Sequence, residues 1–73
     1  MHINEIIKNI RKDKGISQKN IAKTLGISIS GYNMKENGNR PITTTELQQI
    51  AIALKEQPEY FFNQKLHDKW KVR

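Results

Sequence analysis

The chain has 73 residues, a formal net charge of +6 at pH 7 and no cysteine. A chain of this length forms one small domain, and without cysteine it has no disulfides and no cysteine-ligated metal site, so one apolar core must hold it together. His2 and His67 lack metal-ligand spacing, and no apolar run is long enough to span a membrane. We therefore expect a soluble, cytoplasmic protein without a cofactor.

The positive charge is concentrated in the first half of the chain. Residues 1–40 contain eight basic and three acidic side chains, whereas residues 41–73 contain five and four. Charged side chains usually just cover a solvated surface, but an excess on one part of a domain also favours binding of a polyanion.

The first predicted element is an amphipathic helix over residues 3–14. Its apolar residues recur at i, i+3, i+4 and i+7, and they are Ile3, Ile6, Ile7 and Ile10. We interpret this stripe as core. Gly15 is predicted to end the helix, and Arg11, next to the core stripe, is expected to have a partner elsewhere in the chain.

Two short helices joined by a glycine turn are predicted next, an arrangement typical of a helix-turn-helix. Ser17 and Ser28 are suitable N-caps, and each is flanked by apolar residues at the positions of a hydrophobic staple. Gly26 provides the left-handed turn between the helices. Ala22 is small enough to let the two helices approach closely.

The outer face of the third helix, residues 29–36, is the candidate for reading DNA bases. Tyr32 is its predicted core residue, and its predicted exposed residues are Ile29, Ser30, Asn33 and Met34. Ser and Asn can hydrogen-bond to base edges, and Ile and Met can contact thymine methyl groups. The alternative is that Ile29 and Met34 are ordinary apolar surface residues.

Side chains beside this helix suit the sugar-phosphate backbone. Gln18 begins the second helix, where its amide can donate to a phosphate next to unpaired backbone N–H groups, and Lys19 follows it on the outer surface. The other phosphate candidates lie in the Asn-Gly and Pro turn segment after the third helix, and they are Asn37, Asn39 and Arg40.

Two more helices complete an all-α fold of five short helices. Thr43 and Glu46 form a predicted capping box at the start of the fourth helix, and Pro58 begins the fifth. The core residues of the fourth helix are Leu47, Ile50, Ala51 and Leu54. The aromatic residues Tyr60, Phe61 and Phe62 are too many for one small core, so at least one ring is expected to face a second subunit.

The domain is expected to cover residues 1–66, followed by a tail of residues 67–73. Phe62, Leu66 and Trp70 recur at i, i+4 and i+8, a spacing that allows the fifth helix to continue into the tail. Three alternatives for the tail stay open: packing on the core, pairing with a second subunit, or a frayed basic end.

The combined pattern R-x6-Q-x2-I-A-x2-L-G-I-S…E-N-G…R-P…L-x2-I-A-x-A-L resembles the lambda-repressor-like DNA-binding domains, also called the Cro/repressor or XRE type. The resemblance extends over about residues 3–62. It implies a five-helix fold in which helices two and three form the helix-turn-helix. It also implies that Gln18 contacts the DNA backbone and that Ile29, Ser30 and Met34 face the major groove, with Asn33 a weaker candidate.

The same resemblance implies that Arg11 pairs with Glu36 at the end of the third helix. Such a pair fixes the helix more than it stabilises the domain, because desolvation offsets most of the attraction. One position departs from the family pattern, since Lys35 occurs where an apolar residue is usual. Either the Lys35 stem covers the edge of the core with its ammonium outside, or the last turn is rotated and Met34 packs inward.

We therefore expect a sequence-specific transcription regulator, a small repressor that binds double-stranded DNA as a homodimer on a pseudo-palindromic operator. The dimer would form through the fifth helix and the tail. No arrangement of catalytic residues is recognisable, and no effector domain for a small-molecule ligand is present in the sequence. The alternatives are a DNA-binding antitoxin whose residues 63–73 bind a toxin, and a protein-interaction module on the same fold.

Overall fold

The computed structural model describes residues 2–62, and all regular secondary structure in that part of the chain is helical. Four α-helices are followed by a 3₁₀ helix, and their bounds are α1 Ile3–Asp13, α2 Gln18–Leu25, α3 Ile29–Glu36, α4 Thr44–Ala53 and 3₁₀ Pro58–Phe62. The predicted all-α fold with a helix-turn-helix in α2 and α3 is confirmed. None of the helices within residues 2–62 is long and apolar enough to cross a membrane.

Two details of the predicted elements differ in the structure. The first helix ends at Asp13, one residue before the predicted Lys14, which is its C-cap. The fifth element is a 3₁₀ helix and not an α-helix. Its backbone makes the i to i−3 contact between Tyr60 N and Gln57 O at 3.0 Å, because five residues allow almost no i to i−4 pairing.

The predicted N-caps set the starts of three helices. Ser17 Oγ accepts from Asn20 N at 3.0 Å at the start of α2, and Ser28 Oγ accepts from Gly31 N at 2.9 Å at the start of α3. The capping box of α4 is complete. These bonds satisfy backbone donors that a helix leaves unpaired, so local sequence fixes where each helix begins.

Each α-helix is also followed, within two residues, by a residue in the left-handed conformation. After α2, Gly26 has φ of 71°, and Ile27 N donates to Ala22 O at 3.0 Å. Gly15 and Gly38 have the same role after α1 and α3. After α4 the position is occupied by Lys55, whose φ is 60°, the one positive φ at a residue other than glycine within residues 2–62. Glycine would adopt this conformation with less strain.

The core joins all four α-helices and the 3₁₀ helix. Its buried apolar residues are Ile6, Ile7, Ile10, Ile21, Ala22, Tyr32, Leu47, Ile50, Ala51, Leu54 and Phe61. Ile3, which was also predicted to be core, and Leu25 are partly buried against it. The predicted apolar stripes therefore form the core, and α2 and α3 pack against α1 and α4.

The aromatic residues near the end of the described range pack partly within this chain. Phe61 is buried, and the partly buried Tyr60 meets it edge to face with ring centroids 5.6 Å apart. The Phe62 side chain, Leu66 at the predicted domain boundary and the predicted tail of residues 67–73 lie outside the described residues.

Candidate nucleic-acid interface

One side of α3 is in the core and the other faces outward. Tyr32 and Glu36 are buried, and Gly31 is buried against the cap of the same helix. Ile29 is 47% exposed and Ser30 is exposed, while Asn33 and Met34 are half-buried. The predicted base-reading residues thus lie on the accessible part of α3.

The structure decides between the two packings considered for Lys35. The Lys35 side chain is mostly covered, and its Nζ donates to Pro41 O and to Glu46 Oε1, each at 3.0 Å. Met34 does not pack against the core. The Lys35 side chain and not Met34 is therefore the covered one, but its ammonium is bound by Glu46 and Pro41 and does not lie outside as the first alternative expected. Met34 stays on the outer side of α3.

A buried ion pair attaches the end of α3 to α1. Arg11 Nε lies 2.8 Å from Glu36 Oε2, and Arg11 Nη2 lies 2.9 Å from Glu36 Oε1, so the pair is bidentate. Arg11 Nη1 also donates to Ile16 O at 2.9 Å, which ties the pair to the segment before α2. Arg11 therefore connects α1 with the segment before α2 and with the end of α3.

The ionisation of Glu36 depends on these contacts. Burial by itself would raise the pKa of Glu36, but hydrogen bonds from Arg11 and Gln18 together with the Arg11 charge outweigh it and hold the pKa below its ordinary value. Burial raises the pKa of Tyr32, and the neighbouring Glu36 carboxylate adds to the rise. The Tyr32 hydroxyl makes no hydrogen bond of ordinary geometry. Glu36 is thus a buried anion, and Tyr32 stays neutral.

A directional series of hydrogen bonds leads from this carboxylate to the surface. Lys8 Nζ donates to Asn37 Oδ1 at 3.4 Å, and Asn37 Nδ2 donates to Asn33 Oδ1 at 3.0 Å. Asn33 Nδ2 donates to Gln18 Oε1 at 3.3 Å, and Gln18 Nε2 donates to Glu36 Oε1 at 3.1 Å. We call these five residues the amide chain. Each amide in it accepts on the Lys8 side and donates on the Glu36 side.

The predicted phosphate-contacting residues form two groups. Gln18 is half-buried at the start of α2, where the exposed Lys19 follows it. Asn37, Asn39 and Arg40 are exposed in the loop after α3. The amide chain brings Gln18 and Asn37 together, although they are far apart in sequence.

The loop after α3 folds back toward the beginning of that helix. A Cβ atom placed on Gly31 would lie 3.9 Å from Arg40 Nη1 and 3.1 Å from Ser28 Oγ. Asn39 and Arg40 also line an open groove of about 420 Å³ with Asn4. The Arg40 guanidinium thus lies close to the exposed turn of α3 that contains Ser30.

Two contributing residues were missed by sequence reasoning. Lys8 reaches Asn37, and Asn4 Nδ2 donates to Glu36 O at 3.1 Å. Both lie on α1, and Lys8 precedes Arg11 by one helical turn. Its spacing from Arg11 was the available signal, since residues one turn apart share a helix face. Within residues 2–62, no group of three or more acidic or histidine side chains could hold a metal ion.

Comparison with known proteins agrees with this geometry. A family model described as helix-turn-helix matches residues 7–61. A curated protein of Sinorhizobium fredii, named as an uncharacterized HTH-type transcriptional regulator, is 30% identical over 66 residues, which cover 90% of this chain and 46% of the relative. The chain therefore spans about half the length of that relative. No solved structure matches the chain significantly. The chain belongs to the helix-turn-helix family of the XRE type.

Proposed function

We propose that the protein is a sequence-specific DNA-binding transcription regulator, and that it acts in the cytoplasm as a small repressor by occupying its operator. The proposal rests on the exposure of the outer face of α3. Ile29 and Ser30 are exposed there, while the opposite side of the same helix is fixed in the core by Tyr32 and Glu36. A short rigid helix with a mixed apolar and hydrogen-bonding face suits the major groove. The name of the Sinorhizobium relative supports the same function.

In this proposal α3 lies in the major groove. Ser30 hydrogen-bonds to a base edge, and Ile29 and Met34 contact apolar groups such as thymine methyls. The backbone contacts come from the residues beside α3, and these are Gln18, Lys19, Asn37, Asn39 and Arg40. Such contacts set the register of the protein on DNA without reading sequence.

The residues behind α3 fix its position and do not touch DNA. The Arg11–Glu36 pair ties the end of α3 to α1. Ala22 is 1% exposed in the core, and Gly26 makes the left-handed turn between α2 and α3. Because α3 itself has only eight residues, its orientation depends on these contacts.

We further propose that the protein acts as a homodimer through the C-terminal part of the chain. A single small module makes few base contacts, and two copies on half-sites about one helical turn apart would give useful specificity. Ile52 on α4 is 70% exposed and, with Ile29, is one of two large apolar side chains exposed within residues 2–62, so it is the candidate for an apolar contact with a second copy.

Selection of bound duplexes from a random DNA pool tests this function directly. We expect enrichment of a pseudo-palindromic sequence, because a two-fold dimer presents two identical α3 helices. The matched control is a variant with Ser30→Ala, which should enrich a different sequence at the position that Ser30 contacts. Recovery of unselected sequences by the wild-type protein, together with a salt-insensitive complex with another protein, would favour a protein-interaction module instead.

A further inference from the structure

Asn33 occupies the centre of the amide chain, and both functional atoms of its side chain are used. Its Nδ2 donates to Gln18 Oε1 at 3.3 Å, and its Oδ1 accepts from Asn37 Nδ2 at 3.0 Å. Asn33 therefore bridges the start of α2 and the loop after α3. These are the two places that supply the proposed backbone contacts.

The two end residues fix the direction of the hydrogen bonds in the amide chain. The Glu36 carboxylate can only accept, and the Lys8 ammonium can only donate. Gln18 must therefore present its nitrogen to Glu36 and its oxygen to Asn33, and the same order follows for the next two amides. Aligned bonds of this kind polarise one another, so the three amides are held more firmly than isolated pairs would be.

The fixed direction leaves spare donors on the half-buried Gln18 and on the exposed Asn37. A primary amide has two N–H groups, and the chain uses one from Gln18 and one from Asn37. Among residues 2–62 the second N–H of each makes no hydrogen bond, so it can donate to an acceptor such as a phosphate oxygen. We infer that Asn33 is a positioning residue, which orients the Gln18 and Asn37 amides for donation to the DNA backbone and does not itself read a base.

A base-reading role would conflict with these bonds. Recognition of adenine by asparagine uses the amide oxygen and nitrogen together. Asn33 keeps a second N–H and a second oxygen lone pair, but its two partners fix the plane of its amide, so turning that amide to face a base would disturb both bonds and the orientation of Gln18 and Asn37. The inference rests on the proposed function for its DNA step, whereas the orientation of the two amides belongs to the free protein.

The first test is made without DNA, by following the side-chain NH₂ resonances of Gln18 and Asn37 by NMR. Asn33→Ala should move both pairs of resonances toward the values of solvent-exposed amides. Asn33→Asp keeps the acceptor for Asn37 but loses the donor to Gln18, so it should move the Gln18 signals far more than those of Asn37. Ser30→Ala, on the same helix, should move neither. Unchanged resonances in a folded Asn33→Ala protein would overturn the inference.

The second test measures binding to a panel of duplexes. Asn33→Ala should weaken binding by about three- to tenfold on every sequence alike, because two oriented donors are lost. A changed preference at one base position would instead identify Asn33 as a base reader and overturn the inference. If the wild-type protein bound no duplex, the proposed function and the DNA step would fail together. The NMR result would then still decide whether Asn33 orients the two amides.

Discussion

Arg11 and Glu36 form a bidentate ion pair across 25 residues of sequence, with contacts of 2.8 and 2.9 Å. The side chains are 11% and 0% exposed, so water screens the pair very little. Moving the two charges out of water costs about as much free energy as their attraction returns. Such a pair therefore holds two elements in position more than it stabilises the fold. Here the pair connects α1 to the last turn of α3.

Arg11→Met should destabilise the domain by about 3 kcal/mol or more, because it leaves the Glu36 charge buried without its partner. The double variant Arg11→Met with Glu36→Leu should recover most of that loss while binding DNA more weakly than the wild type. Urea unfolding followed by circular dichroism, together with binding isotherms, would measure both effects. A double variant as unstable as the single one would show that the pair itself stabilises the fold.

Acid should destabilise the domain through Glu36 and Glu46. The pKa of Glu46 is lowered, first by the hydrogen bond from the Thr43 backbone N–H and also by Lys35, and the pKa of Glu36 is lowered by its own partners despite burial. A lowered native pKa means that the unfolded state binds more protons as the pH falls. The stability that these groups contribute is therefore present above the ordinary glutamate pKa of about 4.3 and is lost below it.

Unfolding free energies measured at several acidic pH values would check this dependence. Glu36→Gln should lower stability at neutral pH and flatten the fall in stability below about pH 4. Glu46→Gln is the matched control, since it removes the other shifted carboxyl. If stability fell with acid as steeply in both variants as in the wild type, the acid sensitivity would belong to other groups.

Lys55→Gly should stabilise the domain by about 1 kcal/mol. Lys55 has φ of 60°, a conformation in which a Cβ atom is strained and glycine is not. Lys55→Ala removes the same charge but keeps the Cβ atom, so it should give no comparable gain. Thermal unfolding of the two variants would separate relief of backbone strain from loss of charge. Equal stabilities of the two variants would contradict the argument.

The features that sequence predicted well are those set by nearby residues. Ser17, Ser28 and Thr43 cap helices because each cap needs only a donor three residues away. The apolar stripes followed helical spacing and therefore reached the core. The 3₁₀ form of Pro58–Phe62 was not predictable in the same way, because five residues are too few to show a helical period.

The features that sequence left undecided depend on contacts between distant residues. The position of Lys35 is set by Glu46 and Pro41, which come close only after α4 has packed. Asn33 looked like an ordinary exposed amide in sequence, and its partners Gln18 and Asn37 meet it only in the folded chain. For the proposed interface, sequence could identify the exposed face of α3 but not the hydrogen bonds already made within it.

Ser30→Ala and Arg40→Gln should have different effects on DNA binding. Ser30 is exposed on α3 and is proposed to contact a base edge, so its loss should alter sequence preference. Arg40 is proposed to contact phosphate, so its loss should weaken binding to all sequences and reduce the salt dependence by about one unit of slope. Isotherms at several salt concentrations on selected and scrambled duplexes would distinguish the two. Unchanged isotherms for both variants would mean that this face does not bind DNA.

Ile52→Lys should convert the proposed dimer to a monomer without unfolding it. Ile52 is 70% exposed and is outside the core, so the substitution removes little packing within the described chain. A lysine at a symmetric contact would place two like charges near each other and would remove apolar area from the interface. Gln49→Lys adds the same charge at another exposed position of α4 and is the matched control.

Sedimentation velocity should show a loss of dimer for Ile52→Lys alone, accompanied by weaker binding to a two-half-site operator but unchanged binding to one half-site. A dimer that survives Ile52→Lys would place the contact elsewhere on the chain.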